Sequence, residues 1–274
     1  MPLAAAFLVP GSPLPYLRPD VGPWTPLATA CRRAGELLAL QQVDTLLVYS
    51  TQWIAVLDEL WQMRGHVHGL HVDENWYEFG DLPFDLRVDT EVTAAAIAAT
   101  SAFGVRSKGV DYDGFPIDTG TVVANGFLNA GGQARLVIAS NNVYHDWATT
   151  ERLAASAAAA AESMGRRYAV VGVGGLSGAL FREEIDLQTD HVASAEDDAL
   201  NRDLLSALDS PDVAAIRKHA AEHAGRTRAD MGLKHLAWIL GAVGERYAGA
   251  ETLAYGPTYG SGAAVIHFKL RDAG

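Results

Sequence analysis

Only one of the 274 residues, Cys31, is a cysteine, so no disulfide can form within the chain. A chain of this length without a covalent staple must hold itself by its core, and a lone thiol suits the reducing cytoplasm expected here. No apolar run approaches the roughly 20 residues needed to cross a bilayer. The opening MPLAAAFLVPGSP also lacks the basic start and long apolar stretch of an export signal. Basic charge is scarce: 21 Lys and Arg stand against 33 Asp and Glu, a net charge of −12, with no Lys/Arg cluster to offset it. That sign disfavours phosphate-backbone contacts, so neither nucleic acid nor a membrane is expected as a partner. No Pro/Gly/Ser-rich linker, low-complexity tract or internal repeat interrupts the chain, and residues 1–274 read as a single domain.

What is present suffices for a large core, with 49% hydrophobic and 20% charged side chains. Short apolar runs at residues 4–9, 45–50, 134–139 and 168–173, each followed by Gly, Ser or Asn, predict buried strands. Amphipathic patterns between them predict helices from Thr25, from about Asp89 to Ala99, and over residues 149–164. Cys31 falls on the apolar face of the first and reads as packing. Residues 55–63 also look helical, and residues 66–74 read as a loop. Further on, Ser194 with Asp197 predicts a helix cap, Ser210-Pro211 the start of another helix, and residues 227–243 a third. A Gly/Tyr/Pro turn at 255–262 precedes a final strand at 263–270, free to pair in either direction. The fold class is α/β, with a central mixed sheet flanked by helices.

Three motifs invite chemical readings. Gly172 to Gly178 follows a strand but lacks the Gly-Lys-Ser/Thr ending of a phosphate loop, and reads as a turn. His66, His68 and His71, followed by Asp73 and Glu74, form the densest set of metal-ligand types, an alternative metal site for Zn or Fe. His219 and His223 are spaced i, i+4 on a predicted helix without a zincin carboxylate, which suits a solvated face. Ser12, Ser50 and Ser177 lack a nucleophile-elbow context. The aromatic stretch at 75–84 suits either a substrate wall or packing.

Five segments in order carry a resemblance: FLVPGSPLP at 7–15, YSTQW at 49–53, LHVDENWYEFG at 70–80, DTGT at 118–121 and GVGGLSG at 172–178. Together they resemble the class III (LigB-type) extradiol dioxygenases, which open aromatic rings with non-haem Fe(II). LKHLAWILGA at 233–242 and YGPTYGSG at 255–262 resemble the non-catalytic alpha chain of the two-chain 2-aminophenol dioxygenases in that family. Such chemistry requires two imidazoles and a carboxylate around the metal and a further His to move protons. The resemblance places the metal imidazoles at Gly11 and Gln52, the acid/base His at Thr119 and another site His at Gly178. The carboxylate position falls at Asp230 or Gly232. No catalytic residue or metal ligand is therefore expected in this chain.

The resemblance implies a LigB-like fold and a non-catalytic subunit. Fe(II) is then expected in a homologous beta-type partner, in an α2β2 assembly or a dimer, acting on 2-aminophenol-like or catecholic aromatics. A repurposed enzyme working without iron in the old cleft is one alternative, and a small-molecule-binding pseudoenzyme the other. For either, the residual pocket is Gln52, Asp118, Thr119, Tyr144, His145 and Asp146, with His145 beside Asp146 as the acid/base candidate. The plainer reading makes residues 144–146 a loop capping the next helix.

Overall fold

The computed structural model describes residues 3–178 and 184–271. In chain order the elements are β1 (Leu3–Val9), α1 (Leu14–Leu17), α2 (Thr25–Leu40), β2 (Thr45–Ala55), β3 (Glu59–Gln62), β4 (His66–His71) and β5 (Leu82–Arg87). Then follow α3 (Thr90–Ala102), β6 (Ser107–Val110), α4 (Thr119–Leu128), β7 (Arg135–Asn142), α5 (Trp147–Ser163) and β8 (Tyr168–Val173). The chain ends with α6 (Ala195–Ala207), α7 (Val213–Arg226), α8 (Lys234–Val243), β9 (Tyr247–Thr258) and β10 (Ser261–Leu270).

Eight strands form one mixed sheet in the order β6-β3-β7-β2-β8-β1-β10-β9, and β4 pairs with β5 in a separate hairpin. Strands β1, β2, β7 and β8 are mutually parallel, which requires helical crossovers and covers both faces. Their sequences obey that demand: all six residues of β8 are buried. One face packs against α3, α5 and α8, where Tyr49 stacks on Trp238, and the other against α2, α4 and the hairpin. Alanine-rich α5 lets α8 approach so closely that a Cβ on Gly241 would overlap the Glu151 backbone. Cys31 is buried in the second core, which pushes its thiol up to about 12.

Four local expectations are corrected. Residues 55–63 are the end of β2 and then β3, because Glu59 to Gln62 pair with β6. Residues 66–71 form β4, paired throughout with β5, so the histidines lie on a strand. The expected helix over 227–243 is broken: Met231, Gly232 and Leu233 take left-handed backbone (φ 46°, 66° and 62°), and only α8 continues as a helix. The turn at 255–262 shrinks to Tyr259-Gly260, since β9 runs to Thr258 and β10 pairs antiparallel with both β1 and β9. Elsewhere Asp212, two residues beyond Ser210, caps α7. His223 is buried with Nε2 at 2.8 Å from Leu176 O, where a solvated face was expected. No helix among the described residues is long and apolar enough to cross a membrane.

Candidate functional site

β1 and β8 end level with Ser50 of β2, so the residues after β1 and β8 and the far end of β2 share one edge of the sheet. Gly11 and Gln52 meet there. A Cβ on Gly11 would stand 2.9 Å from Gln52 Nε2, and that amide donates to Gly11 O at 3.2 Å. Two residues earlier, Ser50 Oγ donates to Asp118 Oδ1 at 2.5 Å. The same Asp118 oxygen accepts from Thr121 N at 3.0 Å and caps α4, which fixes Thr119 at the head of the helix. Gly120 has to be glycine, since a Cβ would press to 2.6 Å from Ser50 Oγ.

Thr119 is held from the other side by the segment after β4. Its hydroxyl donates to Asp73 Oδ2 at 2.8 Å and stands 2.7 Å from His71 Nε2. With the hydroxyl proton committed to Asp73, His71 Nε2–H donates, giving a chain His71 to Thr119 to Asp73. The sequence marked His71 only as a metal candidate. The structure puts it against Thr119, where the DTGT motif alone gives no hint of an imidazole.

The other three pocket candidates lie in a second group. Tyr144 is exposed, and Asp146 caps α5 by accepting from Thr149 N, which holds its carboxyl below the usual range. His145 Nδ1 stands 3.2 Å from Glu59 Oε2, a fully buried carboxylate that also accepts from Ser140 Oγ at 3.0 Å. Burial raises the Glu59 carboxyl pKa, and the neighbouring His145 and the Ser140 hydrogen bond oppose the rise. Nearby, buried Lys234 donates from Nζ to Asn142 O at 2.8 Å, and burial lowers its pKa. Among the described residues no hydrogen bond or ion pair joins His145 to Gln52, Asp118 or Thr119. Glu59 and Lys234 escaped the sequence reading. Their signal was a lone carboxylate heading an apolar strand and a lone ammonium heading an apolar helix.

Asp230 lies on the opposite side of β2, where Oδ2 accepts from Gly175 N at 2.7 Å and lies 3.5 Å from Thr51 Oγ1. Desolvation raises its pKa against those two bonds. Gly232 has no side chain to offer. Gly178 is close to Asp230 as well: a Cβ there would lie 4.0 Å from Asp230 Oδ1.

Iron of the kind used by the family does not fit these residues. Gly11 and Gly178 carry no donor, Gln52 already spends its amide on Gly11 O, and Thr119 is committed to Asp73. His66, His68 and His71 do not replace them. The first two rings lie 5.0 Å apart beside Asp85, but His71 is about 10 Å further along the strand and turned to the other face. Among the described residues no three His, Cys, Asp or Glu side chains converge as a metal site.

The profile of the family described as the catalytic LigB subunit of aromatic ring-opening dioxygenase matches residues 9–266. The chain belongs to the LigB family. Among curated proteins, this LigB chain is 48% identical to a Pseudomonas sp. 2-aminophenol 1,6-dioxygenase alpha subunit, covering 98% of this chain and 100% of that one. Among solved structures, an uncharacterized Escherichia coli K12 protein shares the fold with a TM-score of 0.67 at 12% identity, over 96% of this chain and 98% of the other.

Proposed function

We propose that this chain is the non-catalytic, alpha-type subunit of a two-chain extradiol dioxygenase that cleaves 2-aminophenol-like or catecholic rings. Its Fe(II) is carried by a homologous beta-type subunit, in an α2β2 or αβ assembly, and a cytoplasmic setting suits the single buried thiol. One observation carries the reading. Gly11 and Gln52, the positions where the family's metal imidazoles would converge, do converge, and they hold an amide-to-carbonyl hydrogen bond in place of two ligands. Around this substitution the β1, β2 and β8 frame and the α4 cap are intact, so the fold outlives its chemistry. The full-length likeness to a protein named as an alpha subunit supports the same conclusion.

A second reading has its own support. His71, Thr119 and Asp73 form a hydrogen-bonded chain one residue from Asp118, whose carboxylate accepts from Ser50, two residues before the exposed Gln52. Such a group suits a bound hydroxyl or amine, so a retained small-molecule site without turnover remains compatible with the subunit role.

The test is metal content and oxygen uptake with 2-aminophenol, first on the chain alone, then on the chain co-expressed with an iron-competent LigB homologue. Iron-free, inactive chain that becomes part of an active complex is the expected result. Stoichiometric iron and turnover in the isolated chain would overturn the proposal.

A further inference from the structure

The carboxyl end of the central strands carries apolar side chains where a solvated sheet end carries polar ones. The last outward position of β2 is Ile54, 52% exposed, and the following bend puts out Val56 at 52% and Leu57 at 79%. Beside them the turn after β7 puts out Val143 at 38% and Tyr144 at 79%.

These five side chains stand on one braced corner. Val143 N donates to Ala55 O at 3.0 Å, Asn142 Nδ2 to Asp58 O at 3.1 Å, and Tyr144 N to Asn142 Oδ1 at 3.0 Å. Beneath lies the Glu59, Ser140 and His145 group. The adjacent charges are gathered at the rim, where Arg106 and Lys108 pair with Asp58 at 2.9 and 2.7 Å. An uncharged apolar centre with a charged margin is the anatomy of a protein interface.

We infer that this corner is the docking surface for the homologous iron-bearing chain, an assignment that rests on the subunit reading above. Size argues for a folded partner. Five side chains of this bulk and exposure present on the order of 500 Å², most of the roughly 800 Å² per partner that a standard interface buries. Rigidity argues the same way, because the corner is built of two short turns tied to each other by backbone and Asn142 hydrogen bonds. Charge argues against a lipid surface, since the two rim cations already share a carboxylate.

The experiment co-expresses a tagged iron-competent LigB homologue with three forms of this chain: wild type, Leu57→Asp/Tyr144→Asp, and Leu40→Asp. Leu40, 81% exposed at the end of α2, is an equally apolar control next to the opposite end of the sheet. Wild type and the Leu40 variant are expected to co-purify in equal amounts, and the corner variant at a tenth of that level or less, with a Tm within 2–3 °C of wild type (about what surface changes cause). Hydrogen exchange on the wild-type complex is a check free of folding effects: amides at 54–57 and 143–145 are expected to slow on assembly. Undiminished co-purification of the corner variant, or unchanged exchange at those amides, overturns this surface and leaves the subunit reading standing. Failure of wild type to co-purify overturns both. Self-association of wild type that the corner substitutions abolish assigns the surface to a second copy, and overturns the occupant proposed.

Discussion

An imidazole buried without a hydrogen-bond partner destabilises a fold, and His235 is such a group. It is fully buried at the start of α8, with neither ring nitrogen bonded, and its Nδ1 would lie 2.9 Å from a Cβ on Gly174. Burial lowers its pKa from 6.5 to about 3. The unfolded chain therefore binds a proton between those values that the folded chain refuses, and stability present above pH 6.5 is lost as pH falls toward 3. Each pH unit in that window costs about 1.4 kcal/mol, or roughly 2–3 kcal/mol by pH 4.5. His235→Leu, which removes the titration and two unbonded polar atoms, is expected to flatten this acid limb. Urea midpoints from pH 7 to 4.5 measure it, and an unchanged slope in the variant would refute the account. The position was not legible in the sequence, where His235 sits inside an apolar helical run like any core histidine.

At the scale of elements, the break before α8 is the feature least visible in the sequence. Met231 and Leu233 are residues that left-handed backbone costs about 1–2 kcal/mol each, and nothing in their side chains announces it. The conformation persists because its ends are tied: Trp147 Nε1 donates to Gly232 O at 2.7 Å, and Asp230 holds Gly175 N at 2.7 Å. Met231→Gly is expected to be neutral or to stabilise by up to about 1 kcal/mol, and Met231→Val to destabilise by about 1–2 kcal/mol. Equal denaturation midpoints for the two variants would show that the backbone is not under strain. By contrast, β1, β2, β7 and β8 were readable, because strands covered on both faces must be short continuous apolar runs. β3 was misread because Ile54, Val56 and Leu57 add exposed apolar residues to the pattern and imitate a helical period. β4 was misread because an exposed hairpin strand with three His and one Gly in six residues has no apolar alternation to display.

For the whole molecule, the motifs that carry the resemblance are built on glycines, prolines and tryptophans, and the function proposed above puts the change at the ligand positions. The motif positions Gln52, Asp118 and Thr119 could be read from the sequence. The arrival of His71 and Asp73 at Thr119 could not, because it depends on how the hairpin packs on α4. With no converging ligand set among the described residues, anaerobic Fe(II) at a hundredfold excess is expected to move the Tm of the isolated chain by less than about 1 °C. A rise of several degrees, whose size scales with metal concentration, would reveal a ligand set elsewhere in the molecule.

The order of strands has a consequence for biosynthesis. β1, the first of these strands in chain order, takes its place between β8 and β10, whose residues begin at Tyr168 and Ser261. Until β8 has been made, the seven-residue segment LAAAFLV, built for burial, has no neighbour on either side, and until β10 follows it is covered on one side only. Pairings across such separations close slowly, and an unpaired apolar strand invites aggregation while it waits. The nascent chain is thus exposed to misassembly until the β9–β10 hairpin emerges, and residues 261–270 act as the closing piece that covers the second side of β1.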